Sequence, residues 1–179
     1  MGELKSELVT PHLVPLVKDR DSDVRRATVE ALGKIKSEAV IPHLIPLLKD
    51  EDWNVREAVV QALGNLKSEL VIPHLFPLVK DRDSDVRRAV QQALGDLKSE
   101  LLVPHLVPLV KDRDSDARYW AVQALGEFRS EVVISQVTPL LSEQDPRVFN
   151  SAFEIIEAVK RRLNLPKDYV IEGGKQQTA

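Results

Sequence analysis

Asp52-Trp53-Asn54-Val55-Arg56-Glu57-Ala58-Val59-Val60-Gln61-Ala62-Leu63-Gly64 decides the fold of this chain. Asp52 is a natural N-cap, because its short carboxylate accepts from the amides that a helix start leaves unpaired. Val55, Ala58, Ala62 and Leu63, with Leu66 just beyond, recur at helical spacing and make one apolar stripe. Gly64 falls near the end of that stripe, where a left-handed glycine is expected to close the helix.

The same string returns along the chain. Gly33, Gly64, Gly95 and Gly126 are 31 residues apart, and so are His12, His43, His74 and His105. Ser6, Ser37, Ser68, Ser99 and Ser130 carry the period once more. Residues 6–36 and 68–98 differ at 7 of their 31 positions, which leaves 24 identical and excludes chance. The units are 6–36, 37–67, 68–98, 99–129 and a decayed 130–163. In the last, Gln136 takes the histidine position and Glu157 the glycine position. Degeneration is what a terminal cap shows, because its outer face has no neighbour to fit. Residues 164–179 read as a tail, with a short docked stretch through Ile171 and a frayed end.

Each unit reads as two helices. The first opens at a serine N-cap such as Ser37, with Glu38 in the turn where a carboxylate suits the helix dipole. Val40, Ile41, Leu44, Leu47 and Leu48 supply its apolar face. Pro42 suits a first helical position, whereas Pro46 removes a hydrogen bond and is expected to kink the helix. The second helix is the string quoted above. In the fifth unit its start is Asp145-Pro146. In the fourth, Ala117 replaces valine and Trp120 replaces alanine one turn away, a partial exchange of volume.

Composition narrows the function. Hydrophobic residues are 43%, charged residues 30% and aromatics 4%, so the core rests on Leu, Val, Ile and Ala. With no Cys, disulfides and thiolate chemistry are excluded. No apolar run approaches the ~20 residues of a membrane span, and the start is not a signal peptide. Cytoplasm is the expected compartment. A net charge of -3 disfavours a dedicated nucleic-acid binder.

The string Asp-x-x-Val-Arg-x-Ala-x-x-Ala-Leu-Gly resembles the HEAT-like repeats of the phycobilisome bilin lyase type, over about residues 6–160. The resemblance implies an all-α solenoid, a right-handed superhelix of about five 31-residue units, with the second helices on the concave face. It also implies that a repeated Arg pairs with a repeated Asp in the turns between helices. By position these are Arg25, Arg56, Arg87 and Arg118 with Asp19, Asp50, Asp81 and Asp112, and Phe149 breaks the ladder in the last unit. The family includes lyases, scaffolds and designed binders, so the resemblance speaks to fold more than to function.

The four histidines do not make a metal site. Two ligands of one zinc ion lie ~3.5 Å apart, whereas equivalent residues on stacked helices are ~8–10 Å apart. Nor does a catalytic constellation emerge, because the polar residues recur unit by unit as structural parts do. No cofactor and no enzyme activity are expected. Residues that break the repeat are free to recognise something. One column of the second helices reads Arg26, Glu57, Arg88, Tyr119, Asn150, and another Glu30, Gln61, Gln92, Gln123, Glu154. The helix-start column holds Trp53 among serines. Trp53 and Tyr119 stand out, since Trp, Tyr and Arg dominate interface hot spots. Trp120 is a third candidate.

The sequence thus points to a non-catalytic scaffold that binds a protein partner on the second helices. The rival readings are a bilin lyase subunit or bilin-binding chaperone and, more weakly, nucleic-acid binding through Arg25-Arg26 and Arg87-Arg88. Gly2-Glu3-Leu4-Lys5 aligns with the end of a second helix. This suggests a piece of a longer repeat protein, or a monomer able to associate end to end through an uncapped first unit. The identity between units admits a designed protein, but the irregular fifth unit and tail argue for a natural one.

Overall fold

The computed structural model describes residues 9–142, 144–166 and 168–169. All regular elements among them are helical. The chain divides into two compact units, Met1–Leu97 and Lys98–Ala179.

In the first unit, helical residues 9–13 run into the 3-10 turn Val14–Lys18, followed by α1 (Ser22–Gly33). Next come the 3-10 turn Glu38–Val40, α2 (Ile41–Leu44) and the 3-10 turn Ile45–Lys49, then α3 (Trp53–Gly64). The same order repeats as Glu69–Val71, α4 (Ile72–Leu75), Phe76–Lys80 and α5 (Ser84–Leu97). The long helices α1, α3 and α5 lie side by side, and each packs on the broken first helix of its own repeat. Leu32, Leu44, Leu63, Leu75 and Leu94 are fully buried between the two layers, with Val29, Val59, Val60 and Val90 beside them. At about 25 cal/mol per Å² of apolar surface, each such side chain contributes roughly 1.5–3 kcal/mol.

The caps are those the sequence suggests. Asp52 accepts from Asn54 N at 2.8 Å, Asp83 from Asp85 N at 2.9 Å and Ser68 from Leu70 N at 3.3 Å. The first helix differs from the expectation of one kinked helix, being three short pieces. Pro42 and Pro46 each sit in the first turn of a new piece, where their missing N–H costs nothing.

The glycines also differ. Gly33 and Gly64 lie inside α1 and α3 rather than at left-handed closures. The left-handed residues are lysines three positions on: Lys36 at φ 55°, Lys67 at 53° and Lys98 at 50°. The glycines serve helix contact instead. A Cβ at Gly33 would stand 2.9 Å from the Ala62 Cβ, and one at Gly64 would stand 2.7 Å from that of Ala93. No real side chains approach so closely, so glycine lets α1, α3 and α5 meet almost backbone to backbone.

The second unit contains the 3-10 turn Glu100–Leu102, α6 (Val103–Leu109), α7 (Ser115–Glu127), α8 (Glu131–Val137), the 3-10 turn Thr138–Ser142 and α9 (Pro146–Leu163). Its core is Leu106, Val110, Ala121, Leu125, Ile134, Val137, Ile155 and Val159. Ala117 is buried and Trp120 half-buried. In α8, Ser135 replaces the proline found at Pro42, Pro73 and Pro104, and the helix forms directly from its Ser130 N-cap. Basic Lys160, Arg161 and Arg162 fill the last turn of α9, which ends on left-handed Asn164. Tyr169 Oη donates to Glu131 Oε2 at 2.7 Å, tying the chain after α9 to the start of α8. The remainder of the proposed docked stretch and tail lies outside the described residues, as do the N-terminal residues behind the end-to-end association.

Candidate functional site

On α3, Trp53, Glu57 and Gln61 follow one another every fourth residue and therefore share a face. On α5, Arg88 and Gln92 do the same. Between the two helices the first unit opens a groove of about 320 Å³, lined by Glu57, Gln61, Arg88 and Gln92 among others. Gly64 and Ala93, the pair that lets the helices meet, lie in that lining. Four residues of the two exposed columns are thus gathered in one place.

The groove is polar and mostly self-neutralised. Lys67 Nζ lies 3.2 Å from Asp96 Oδ2, and Arg88 Nη1 lies 3.5 Å from Asp85 Oδ1. On neighbouring α1, Arg26 is held by Glu30 at 3.0 Å and Asp23 at 3.4 Å. Glu57 differs. Its Oε1 accepts from Gln61 Nε2 at 2.8 Å, and no Lys or Arg forms an ion pair with it among the described residues. Trp53, one turn toward the N-terminus, is 39% exposed.

The other candidates lie on α7 in the second unit. Tyr119 is 70% exposed. Gln123, four residues on, is exposed on the same face, while Trp120 is half-buried.

Between consecutive repeats of the first unit the helices are clipped by charge. Arg56 donates through Nε and Nη2 to both carboxylate oxygens of Asp81, at 2.9 and 2.7 Å, and Arg25 does the same to Asp50 at 2.7 and 2.8 Å. The partner carboxylate is therefore in the following repeat, not in the Arg's own. What each Arg takes from its own turn is backbone: Arg25 Nη1 donates to the carbonyls of Asp19 and Arg20, and Arg56 Nη1 to those of Asp50 and Glu51. Arg87 donates likewise to Asp81 O, and Arg118 to Asp112 O. The reason is reach: a planar guanidinium satisfies carbonyls on one edge and a bidentate carboxylate on the other. The Asp also folds the turn, since Asp50 and Asp81 accept from the amides of Asp52 and Asp83. Burial pushes the Asp50 and Asp81 carboxyls up. The bonds from Arg25 and Arg56, with the turn amides, outweigh it and leave both below the ordinary carboxylate value.

The sequence reading passed over the outer face of α9. Phe149 and Phe153, one turn apart, are 43% and 53% exposed. Phe149 occupies the column of Arg56, and Phe153 that of fully buried Val60. Phe153, Glu157 and Leu165 belong to a second groove, of about 400 Å³. The signal was present, since two aromatics replace interior residues of earlier units. It was hidden because those columns read as interior.

Among the described residues, no three His, Cys, Asp or Glu side chains are placed to hold a metal ion, and no helix is long and apolar enough to cross a membrane.

Comparison with known proteins agrees with this architecture. A family profile for HEAT repeats matches residues 10–95 and 72–157. Curated proteins gave no match. Among solved structures, the complex of CpcE and CpcF of phycocyanin lyase from Nostoc sp. PCC7120 is similar with a TM-score of 0.56 at 23% identity, covering 83% of this chain and 64% of that one. This chain thus spans less than two-thirds of that lyase chain. An archaeal HEAT-like repeats protein from Thermococcus onnurineus NA1 gives a TM-score of 0.56 at 18% identity, covering 95% and 77%. A designed armadillo repeat protein in complex with peptide (KR)4 gives 0.50 at 21% identity, covering 82% and 80%. At such identities the likeness is one of fold.

Proposed function

This chain belongs to the HEAT repeats family, and on that footing we propose that it is a non-catalytic scaffold that binds a segment of a partner protein along its second helices. The observation that carries this reading is the first-unit groove. Glu57, Gln61, Arg88 and Gln92 stand in the two exposed columns of the second helices, and they line one cleft between α3 and α5. Exposed Trp53 stands one turn beyond its edge on the same face of α3. A bound segment would take hydrogen bonds from the two glutamine amides and orientation from the charged pair. Tyr119, with Gln123 and Trp120 on α7, is a separate candidate contact within the second unit. The polar lining favours a peptide segment over a tetrapyrrole, because the groove contains no aromatic ring among its described lining residues.

A displayed library of random twelve-residue peptides, selected against the whole chain, tests this. Enriched peptides should lose binding to a Trp53→Ala/Gln92→Ala variant that keeps its helical circular dichroism. A library that yields no binders, or binders indifferent to both changes, would overturn the proposal.

A further inference from the structure

We infer that the α3 stripe Trp53–Glu57 is a seat for a cationic side chain, an arginine or lysine presented by the bound partner segment. The inference deepens the scaffold reading and rests on it. Three observations converge. Every other carboxylate lining the groove already has a cation: Asp96 has Lys67 and Asp85 has Arg88. The flanking guanidinium of Arg26 is matched by Glu30 and Asp23 on its own helix. That leaves Glu57 as the groove's carboxylate without a cationic partner among the described residues. It is half-buried and held in place only by the neutral amide of Gln61 at 2.8 Å.

The second element is the exposed indole of Trp53 at i−4. Residues so spaced have Cβ atoms about 5–6 Å apart on one helix face. A ring and a carboxylate at that separation address the same cation, the indole through its π face and the carboxylate through charge. Neither neighbouring helix repeats the combination. The matching positions are Ser22 and Arg26 on α1, and Ser84 and Arg88 on α5. The seat is therefore singular within the first unit, and it fixes where one basic residue of a passing segment must rest.

An anionic segment has no comparable place among the described lining residues of this groove. Arg88 and Arg26 are already engaged, so an incoming acid would compete with carboxylates on the same helices.

The test uses fluorescently labelled nine-residue peptides of alternating Gly and Arg, Gly and Gln, or Gly and Glu, titrated into the full chain. The Arg peptide should bind most tightly and quench the emission of Trp53 in a Trp120→Phe background. Glu57→Gln should weaken it about three- to fivefold, and Trp53→Leu by a similar factor. Glu38→Gln, which removes an exposed carboxylate outside the groove, should leave affinity within about twofold. Equal weakening by Glu38→Gln would show diffuse charge attraction and overturn the inference. So would an unchanged affinity in Glu57→Gln, or tighter binding of the Gln or Glu peptide. If library-selected peptides depend on Trp53 but carry no basic residue, the seat is refuted while the scaffold reading stands. If no peptide is selected at all, the scaffold reading itself fails.

Discussion

The second helices α3 and α9 occupy the same place in the repeat yet present opposite outer faces. On α3 the outward columns are Arg56, Val60 and Gly64, and all three are buried under α5. On α9 the same columns read Phe149, Phe153 and Glu157, with both rings exposed. The inner faces diverge too. Gly33 meets Ala62 and Gly64 meets Ala93, each 29 residues on, whereas Gly126 meets Ala158, 32 residues on, at a looser 3.6 Å. The last helix is thus shifted by nearly one turn against its predecessor. A residue in this fold is chosen for the neighbour it meets rather than for the helix it belongs to.

That contrast can be broken most severely at the clip. Arg56→Ala should cost about 3–5 kcal/mol in urea unfolding, because it strands the buried Asp81 carboxylate. Phe149→Ala, in the same column of α9, should cost under about 1 kcal/mol, since its ring is already wet. The clip also sets the response to acid. Asp50 and Asp81 have folded pKa values below the unfolded value of about 3.9. Their stabilisation is complete above that value and is lost as pH falls through the folded pKa. The fall in melting temperature between pH 6 and pH 3 should therefore shrink in an Asp81→Asn variant. An unchanged slope would assign the acid response elsewhere.

The glycine column offers a smaller test. Gly64→Ala should destabilise by about 1–3 kcal/mol, since the new methyl meets Ala93 at 2.7 Å. This should exceed the gain of about 1 kcal/mol in helix propensity. Glu157→Gly in α9 opposes no such contact and should cost only the propensity of about 1 kcal/mol. A stabilised Gly64→Ala protein would show that α3 and α5 can part without penalty.

The smallest effect belongs to the turns. Lys67→Gly should stabilise by about 0.5–1 kcal/mol, because glycine adopts φ 53° without the Cβ clash. It gives up only an exposed bridge to Asp96. Arg129, in the same column of the second unit, is not left-handed, so Arg129→Gly should give no gain. Thermal unfolding of the two variants side by side distinguishes these outcomes.

Much of this was legible in the sequence, and the illegible parts share a cause. The 31-residue period fixes two helices per unit, and Asp52, Ser68 and Asp145 mark their starts. Hydrophobic spacing identifies Leu63 and Leu94 as core. Contact between repeats, however, is not written in any single repeat. From the string alone, Gly64 is indistinguishable from a helix-closing glycine. Only the approach of Ala93 shows that it makes room. Arg56 could pair within its unit or beyond it, and the choice rests on three-dimensional reach. Glu57 and Arg88 stand out because their column varies from unit to unit, and Gln61 and Gln92 because theirs is an exposed column, although glutamine recurs in it. Phe149 was marked only as the break in the arginine ladder, and Phe153 escaped because its column is interior in earlier units.

The forward reach of the arginine clip has a consequence for how such a chain can change in length. If residues 37–67 were excised in frame, Arg25 would find Asp81 where Asp50 had stood, and the same bond would form. An in-frame duplication would close its seam equally well. A molecule fastened in this way can gain or lose whole modules by copying errors without first evolving a new join, and the near identity of residues 6–36 and 68–98 is what such a history leaves behind.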